Sequence, residues 1–177
     1  IKRVPADTYR AQKRGGRGIK GMTTNDGDIV EKIVTSNTHI DVLFFTNVGK
    51  VYRVRGHSIP EFSRTSKGIP AINILKMEQG EQIRSIISVY DYSEENSLFF
   101  VTKKGTVKRV KVSEFENIRQ TGKIAITMKE DDELIDVKYT TGNVEIFIGA
   151  SNGKVVRFNE QDVRLMGRSA CGVRGIT

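Results

Sequence analysis

The feature that most constrains this chain is internal repetition, at a spacing near 50 residues. An apolar run, a glycine and a basic-aliphatic run recur together. They are Leu43-Phe44-Phe45-Thr46, Gly49 and Lys50-Val51-Tyr52-Arg53-Val54, then Leu98-Phe99-Phe100-Val101-Thr102, Gly105 and Thr106-Val107-Lys108-Arg109-Val110. A third copy is Ile146-Phe147-Ile148, Gly153 and Lys154-Val155-Val156-Arg157-Phe158. Each predicts a β-hairpin, because β-branched and aromatic residues flank a glycine where the turn needs positive φ, and Asn152-Gly153 is the strongest such signal. Four residues after each turn glycine stands an arginine, and Ile1-Lys2-Arg3-Val4 matches the strand that carries it, so the chain opens inside a repeat. Six residues past the arginine comes an apolar anchor (Tyr9, Ile59, Phe115 or Val163), and fifteen past it a glycine (Gly18, Gly68 or Gly172) followed by Ile19, Ile69 or Val173. The copy with Arg109 departs here: Gly122 falls two places early and Ile124 takes the expected position.

Between copies, a turn with an acidic residue leads into another aliphatic run: Gly27-Asp28-Ile29-Val30, Gly80-Glu81-Gln82-Ile83 and Asp132-Glu133-Leu134-Ile135. No helical period of useful length intervenes. All-β units of about four strands, each covering its neighbour's apolar face, predict a propeller-like disc, with repeat units of roughly 1–41, 42–96, 97–144 and 145–177. Rings of this kind close with about 4 to 8 blades, so three to four partial copies leave the ring open and further blades are expected after Thr177. The absence of an initial Met likewise predicts a piece of a longer polypeptide.

Composition narrows the partner. Twenty-nine Lys and Arg against 21 Asp and Glu give a net charge of +8 and a pI near 9.6, which favours a polyanion. Cys171 is the only cysteine, so no internal disulfide forms, a reducing compartment is the natural setting, and the thiol is expected to be a small buried side chain. With His39 and His57 the only histidines, a structural zinc site of the usual ligands has too few donors. No run of about 18 apolar residues is present, and residues 1–7 lack the apolar stretch of a signal peptide.

Within the first copy, Gln12, Lys13, Arg14, Gly15, Gly16, Arg17 and Gly18 set three cations among three glycines on a loop ahead of a strand. Guanidinium groups contact phosphate in bidentate fashion, and glycines let the backbone approach closely with unobstructed N–H donors. Such contacts position DNA without reading its sequence. This loop resembles the signature box of the C-terminal DNA-wrapping domains of the DNA gyrase A subunit, in the bacterial type IIA topoisomerase family, with Lys13 and Arg17 as basic-for-basic variants. Ile59-Pro60 and Lys67-Gly68-Ile69-Pro70-Ala71 extend the resemblance, which covers the whole chain. It implies a six-bladed β-pinwheel, a propeller variant with strands exchanged between blades, around whose edge duplex DNA is wound. It further implies that the box acts as a clasp, and that the wrapped segment is passed to a cleavage gate elsewhere, so that an ATP-dependent enzyme introduces negative supercoils. ATP and Mg²⁺ would serve other parts of that complex, in the bacterial cytoplasm. Those other parts would also make the contacts to a second A subunit or to the gyrase B subunit. The gate tyrosine belongs to another domain of the family, and none of the tyrosines here resembles it.

Strand alternation places Arg3, Arg53, Arg109 and Arg157 on the face of Ile1, Val51, Val107 and Val155, which predicts packed stems and heads paired between blades rather than DNA contact. The further DNA candidates are cations of turns and loops: Lys20, Arg64, Lys67, Lys103, Lys104, Arg119, Lys123, Arg164 and Arg168. Glu130-Asp131-Asp132-Glu133 suggests an acidic region turned away from DNA. The glycine spacing at Gly16, Gly18 and Gly21 matches a dinucleotide fingerprint only by accident, since residues 22–27 are turn-rich and open no helix. No acid, base and nucleophile set emerges, which argues against a catalytic site in the disc. A topoisomerase IV C-terminal domain, which typically has a degenerate box, and a protein-binding propeller scaffold are the alternatives.

Overall fold

A computed structural model of the chain describes residues 1–9, 11–18 and 20–176; the expected positions of Ile19 and Thr177 lie outside them. The three hairpins form where glycine and alternation place them, as β1 (Asp41–Thr46) with β2 (Lys50–Arg55), β4 (Ser97–Thr102) with β5 (Thr106–Lys111), and β8 (Glu145–Gly149) with β9 (Val155–Asn159). The aliphatic runs beyond Gln82 and Glu133 become β3 (Ile83–Val89) and β7 (Leu134–Thr140), paired antiparallel with β1 and β4.

A fourth strand comes from the following unit. The two-residue strands β6 (Lys123–Ile124) and β10 (Val173–Arg174) lie sequentially after the next hairpin, yet pair back onto β2 and β5. The sheets therefore run β3-β1-β2-β6 and β10-β5-β4-β7, with β8-β9 as a two-stranded third. These are four-stranded blades with an exchanged strand. At the other end of the chain the same exchange is sketched by the Ile1 and Ile69 main chains, joined at 2.7 and 3.0 Å.

Exchange explains the composition of β1 and β4, which are apolar on both faces rather than alternating. Leu43 and Phe45 face Leu98 and Phe100, while Val42 and Phe44 pack towards Tyr52, Ile59 and Leu75 on the other side. Phe99 in turn faces Ile148 and Val163. Phe45, Phe100 and Phe115 meet ring to ring with centroids 5.4 to 6.1 Å apart, and each is fully buried. Burial of a side chain of this size stabilises by about 1.5–3 kcal/mol, so the stack of sheets is held mainly by contacts between units.

The turn glycines serve two purposes. Gly49 and Gly105 have φ of 80° and 78°, and each carbonyl accepts two amides of the exchanged segment, Ala125 and Ile126 or Gly175 and Ile176. A Cβ at either would stand 2.5 or 2.3 Å from the carbonyl oxygen of Ile126 or Ile176. Only glycine allows the exchanged segment to come so close.

Four expectations are corrected. Ile29-Val30 forms no strand: Ile29 and Ile33 are 77% and 81% exposed. The equivalent β3 and β7 each pair with the first strand of their own unit's hairpin, whereas no strand lies beside the run from Ile29 among the described residues. Tyr9, expected as an apolar anchor, is exposed, with its hydroxyl donating to the Gly21 carbonyl at 2.9 Å, whereas Ile59, Phe115 and Val163 are buried. Cys171 is exposed rather than buried. Gly122 does the work expected at position 124: its missing Cβ would lie 2.8 Å from the Tyr52 ring, just as that of Gly172 would crowd Val107 and that of Gly68 would crowd Ile1. The connecting loop is two residues shorter, and the glycine moves with it.

Candidate nucleic-acid interface

After its second strand, each hairpin makes one turn of 3-10 helix (Ala6–Thr8, Gly56–Ser58, Val112–Phe115 or Glu160–Asp162). The chain then crosses to the neighbouring sheet. It enters alongside the strand it is joining, as the Phe62 amide donates to the Arg3 carbonyl at 3.0 Å and the Met166 amide to the Arg109 carbonyl at 2.9 Å. It leaves as the exchanged strand. By repeat register, residues 12–18 are the first unit's counterpart of residues 62–68 and 166–172. The crossing segments line the β6 and β10 edges of the sheets.

Within residues 12–20, 62–70, 118–124 and 166–174, the crossing segments and their ends carry ten Lys and Arg and no Asp or Glu. The opposite edge is acidic where it starts: Glu81 accepts from Tyr52 Oη at 2.6 Å, and Asp132 accepts from Thr102 Oγ1 at 2.7 Å. Charge is therefore sorted between the two edges of each sheet. Sequence alone lacks this division, because the segments alternate along the chain.

The box itself is a turn. The Gly16 amide donates to the Lys13 carbonyl at 2.9 Å, Gly15 takes φ 83°, and all of residues 12–18 are exposed. Gly15 and Gly18 have nothing within 4 Å of where a Cβ would sit, so a ligand backbone can reach the main chain there. Lys13, Arg14 and Arg17 make no ion pair among the described residues.

The remaining cations divide into groups. Lys20, Lys67, Arg119 and Arg164 are exposed, and Lys123 is half-buried in β6. Arg64 and Arg168, placed among the DNA candidates, instead direct a guanidinium N–H at protein: Arg64 Nη1 to the Lys20 carbonyl, and Arg168 Nη1 to the Ile124 carbonyl at 2.6 Å. Lys103 and Lys104 lie away from the crossing segments, on the β4–β5 turn. Lys103 is 3.8 Å from Glu133, and the Lys104 ammonium donates to the Glu130 carbonyl at 2.9 Å. The acidic run of residues 130–133 thus lies against this turn, with Glu133 beside Lys103 and the Glu130 carbonyl accepting from Lys104.

Three of the four strand arginines behave as alternation implies, and Arg157 does not. Arg3 donates to the Ile59 carbonyl and pairs with Glu61 at 2.8 Å, Arg53 donates to the Glu116 carbonyl, and Arg109 lies 3.7 Å from the fully buried Glu160. Each of these partners belongs to the next unit. Arg157 pairs with Glu145 of its own hairpin, in solvent.

Sequence reasoning passed over Lys2 and Lys108, one position ahead of Arg3 and Arg109. The Lys2 ammonium donates to the carbonyls of Ser63, Arg64 and Ser66, and the Lys108 ammonium to those of Ala125 and Arg168. Both lysines hold a crossing segment by its main chain. The wholly buried Lys108 has its pKa lowered to about 8, chiefly by loss of water and then by the charge of Arg168. Among the described residues, no three His, Cys, Asp or Glu side chains gather as a metal site, and no helix is long and apolar enough to cross a membrane.

Comparison with known proteins gives the family. A family model described as "DNA gyrase C-terminal domain, beta-propeller" matches residues 1–37, 41–89, 96–141 and 145–177. The A subunit of DNA gyrase from Ureaplasma parvum serovar 3 is 57% identical over 176 residues, covering 99% of this chain and 21% of the relative. Its counterpart from Halalkalibacterium halodurans is 54% identical over 177 residues, covering 100% and 21%. The chain spans about a fifth of the length of these curated relatives. Among solved structures, a DNA gyrase A C-terminal domain superposes with a TM-score of 0.77 at 25% identity, over 99% of this chain and 56% of that one. The C-terminal domain of a DNA topoisomerase IV superposes with a TM-score of 0.73 at 30% identity, over 79% and 44%. With its exchanged four-stranded sheets, its crossing-segment box and a family match along nearly its whole length, the chain belongs to the DNA gyrase C-terminal domain family of β-propellers.

Proposed function

We propose that this chain holds duplex DNA along the edge formed by its crossing segments and bends it, as the wrapping part of an ATP-dependent gyrase that introduces negative supercoils. One observation carries the reading: ten cations and no acid on the crossing segments and their ends, which the exchange gathers along the same edge of successive sheets. Each phosphate neutralised releases condensed counterions, so the contributions accumulate without reading bases. The box adds open main-chain amides at one end of that edge and fixes where the wrap begins or ends. ATP and Mg²⁺ would act on other parts of the parent protein, as would the gyrase B subunit or a second A subunit, in the bacterial cytoplasm. The intact box and 54–57% identity to gyrase A relatives favour gyrase over topoisomerase IV.

Equilibrium binding to two duplexes of unrelated sequence, over a series of salt concentrations, tests the binding step. Both should bind alike, with affinity falling steeply as salt rises. Closing a nicked plasmid with ligase in the presence of the chain tests the bend, through a shift in linking number of one sign. Binding that survives salt unchanged, or prefers one sequence strongly, refutes the phosphate edge. Absence of DNA binding even at low salt returns the scaffold reading.

A further inference from the structure

Arg14, Arg64 and Arg168 occupy one position of the repeat, each eleven residues beyond the strand arginine of its unit. The unit of Arg109 has Gln120 at that offset, and in the two later segments that carry the arginine it does the same thing. Arg64 donates to the carbonyl of Lys20, two residues past Gly18, and Arg168 donates to the carbonyl of Ile124, two residues past Gly122. The acceptor is in both cases the preceding crossing segment, just after its glycine. From the other side, Lys2 and Lys108 hold the carbonyls of those same arginines. Thr127 extends the second of these seams, its hydroxyl donating to the Ser169 carbonyl at 2.6 Å. Three residues further along stand Arg17, Lys67 and Cys171, all exposed, and the first two make no ion pair among the described residues.

We propose that the crossing segments divide their cations by position: where an inner arginine stands (Arg14, Arg64, Arg168) it stitches its segment to the carbonyl of the one before it, and the outer cation (Arg17, Lys67) meets phosphate. The assignment rests on the DNA-binding reading above and deepens it. A guanidinium already bound to a carbonyl still carries its charge. One of its five N–H donors is nevertheless committed to protein and fixes where the head points, which leaves it less free to align two parallel bonds on phosphate. Arg14 takes the inner role by register, which makes the box a seam to a neighbouring unit as much as a contact with DNA. The outer position has no such tie, and in the last unit it is a cysteine, so that segment contributes less.

The salt dependence of binding separates the two roles, because each phosphate neutralised adds about 0.9 to the slope of log K against log salt for duplex DNA. Lys67→Gln and Arg17→Gln should each flatten that slope by nearly one such contact and leave the urea midpoint of the chain unchanged. Arg64→Gln and Arg168→Gln should lower the midpoint, since each leaves a strand carbonyl without its donor, and should keep the slope. Either inner variant suffices if the other fails to fold. Inner variants that flatten the slope as much as the outer ones overturn the division. A steep slope unchanged in all four variants overturns the role given to Arg17 and Lys67 while leaving the DNA-binding reading intact. A flat slope in the unsubstituted chain refutes that reading itself, and the division with it.

Discussion

Lys108 gives the most exacting test of how the sheets are joined. Its side chain is fully buried, its ammonium donates to the Ala125 and Arg168 carbonyls, and it lies 5.7 Å from the centroid of the Phe100 ring. Loss of water lowers its pKa from 10.5 to about 8. Between those values the unfolded chain binds the proton that the folded chain has released, so stability must rise with pH across this window. At about 1.4 kcal/mol per unit, the full shift is worth on the order of 3 kcal/mol, of which about 2 kcal/mol should return between roughly pH 7 and 9.5. The perturbation is Lys108→Met, which keeps the length and cannot titrate. It leaves two carbonyls without a donor, a cost of about 1–3 kcal/mol each that does not vary with pH. Urea unfolding followed by circular dichroism, on both proteins from about pH 7 to 9.5, gives the comparison; the range ends below the ordinary tyrosine pKa near 10, above which the raised values of Tyr52 and Tyr92 act with opposite sign. The unsubstituted chain should gain about 2 kcal/mol on the variant over that span. A difference that stays constant with pH would show that the amine keeps ordinary hydration, and the buried latch would be refuted.

Two further contrasts use the repeat as its own control. Gly49 and Gly153 share a turn conformation, with φ of 80° and 81°, but only Gly49 faces a neighbouring main chain. Gly153→Ala should cost about 1 kcal/mol for the left-handed backbone, and Gly49→Ala about 3 kcal/mol because it also displaces the amides of Ala125 and Ile126; equal urea midpoints for the two variants would refute the close approach. Arg109 and Arg157 also share a repeat position, yet Arg109 is 11% exposed beside a buried Glu160, and Arg157 is 64% exposed beside Glu145. Arg109→Met should cost about 3–5 kcal/mol and Arg157→Met less than about 1 kcal/mol, read as thermal midpoints, and a costlier Arg157 variant would contradict the placement of that pair.

How much of this was legible in the sequence depends on the range of the interaction. The hairpins around Gly49, Gly105 and Gly153 were legible because alternation and a positive-φ glycine act within a dozen residues. β6 and β10 were not, since a two-residue strand has no pattern and its pairing is set by the sheet it joins. The run from Ile29 shows the reverse error: β propensity predicts a strand, but a strand needs a pairing partner, and none lies beside this run among the described residues. Lys108 could not be picked out, because its acceptors lie 17 and 60 residues away. Arg64, Arg168, Lys103 and Lys104 were read as edge cations because a loop cation looks the same in sequence whether its head meets water, a carboxylate or a carbonyl. The repeat could have separated them: an arginine recurring at a fixed offset from the strand arginine serves the unit, and a cation that varies in identity at its position serves the surface.

That distinction bears on how a disc of this kind could bend DNA. Bending 20–30 base pairs smoothly through 40–90° costs on the order of 1–6 kcal/mol. Contacts along an edge can offset this only if the edge does not yield first. A rim of independent loops would follow the straight duplex, and each phosphate contact would then stabilise a deformed protein rather than a bent DNA. Here the crossing segments of Arg64 and Arg168 are each fixed from two sides. Main-chain hydrogen bonds tie them to the strand they join, through Ile69 with Ile1 or Val173 with Val107, and the arginine stitches tie them to the segment before. On the proposed reading, the outer cations are then held in place by these ties, and binding energy gained at Arg17 and Lys67 is left to act on the duplex. Rigidity of the seam is thus a condition of the proposed bend, and on that reading the inner arginines should govern the path of the duplex from within the protein.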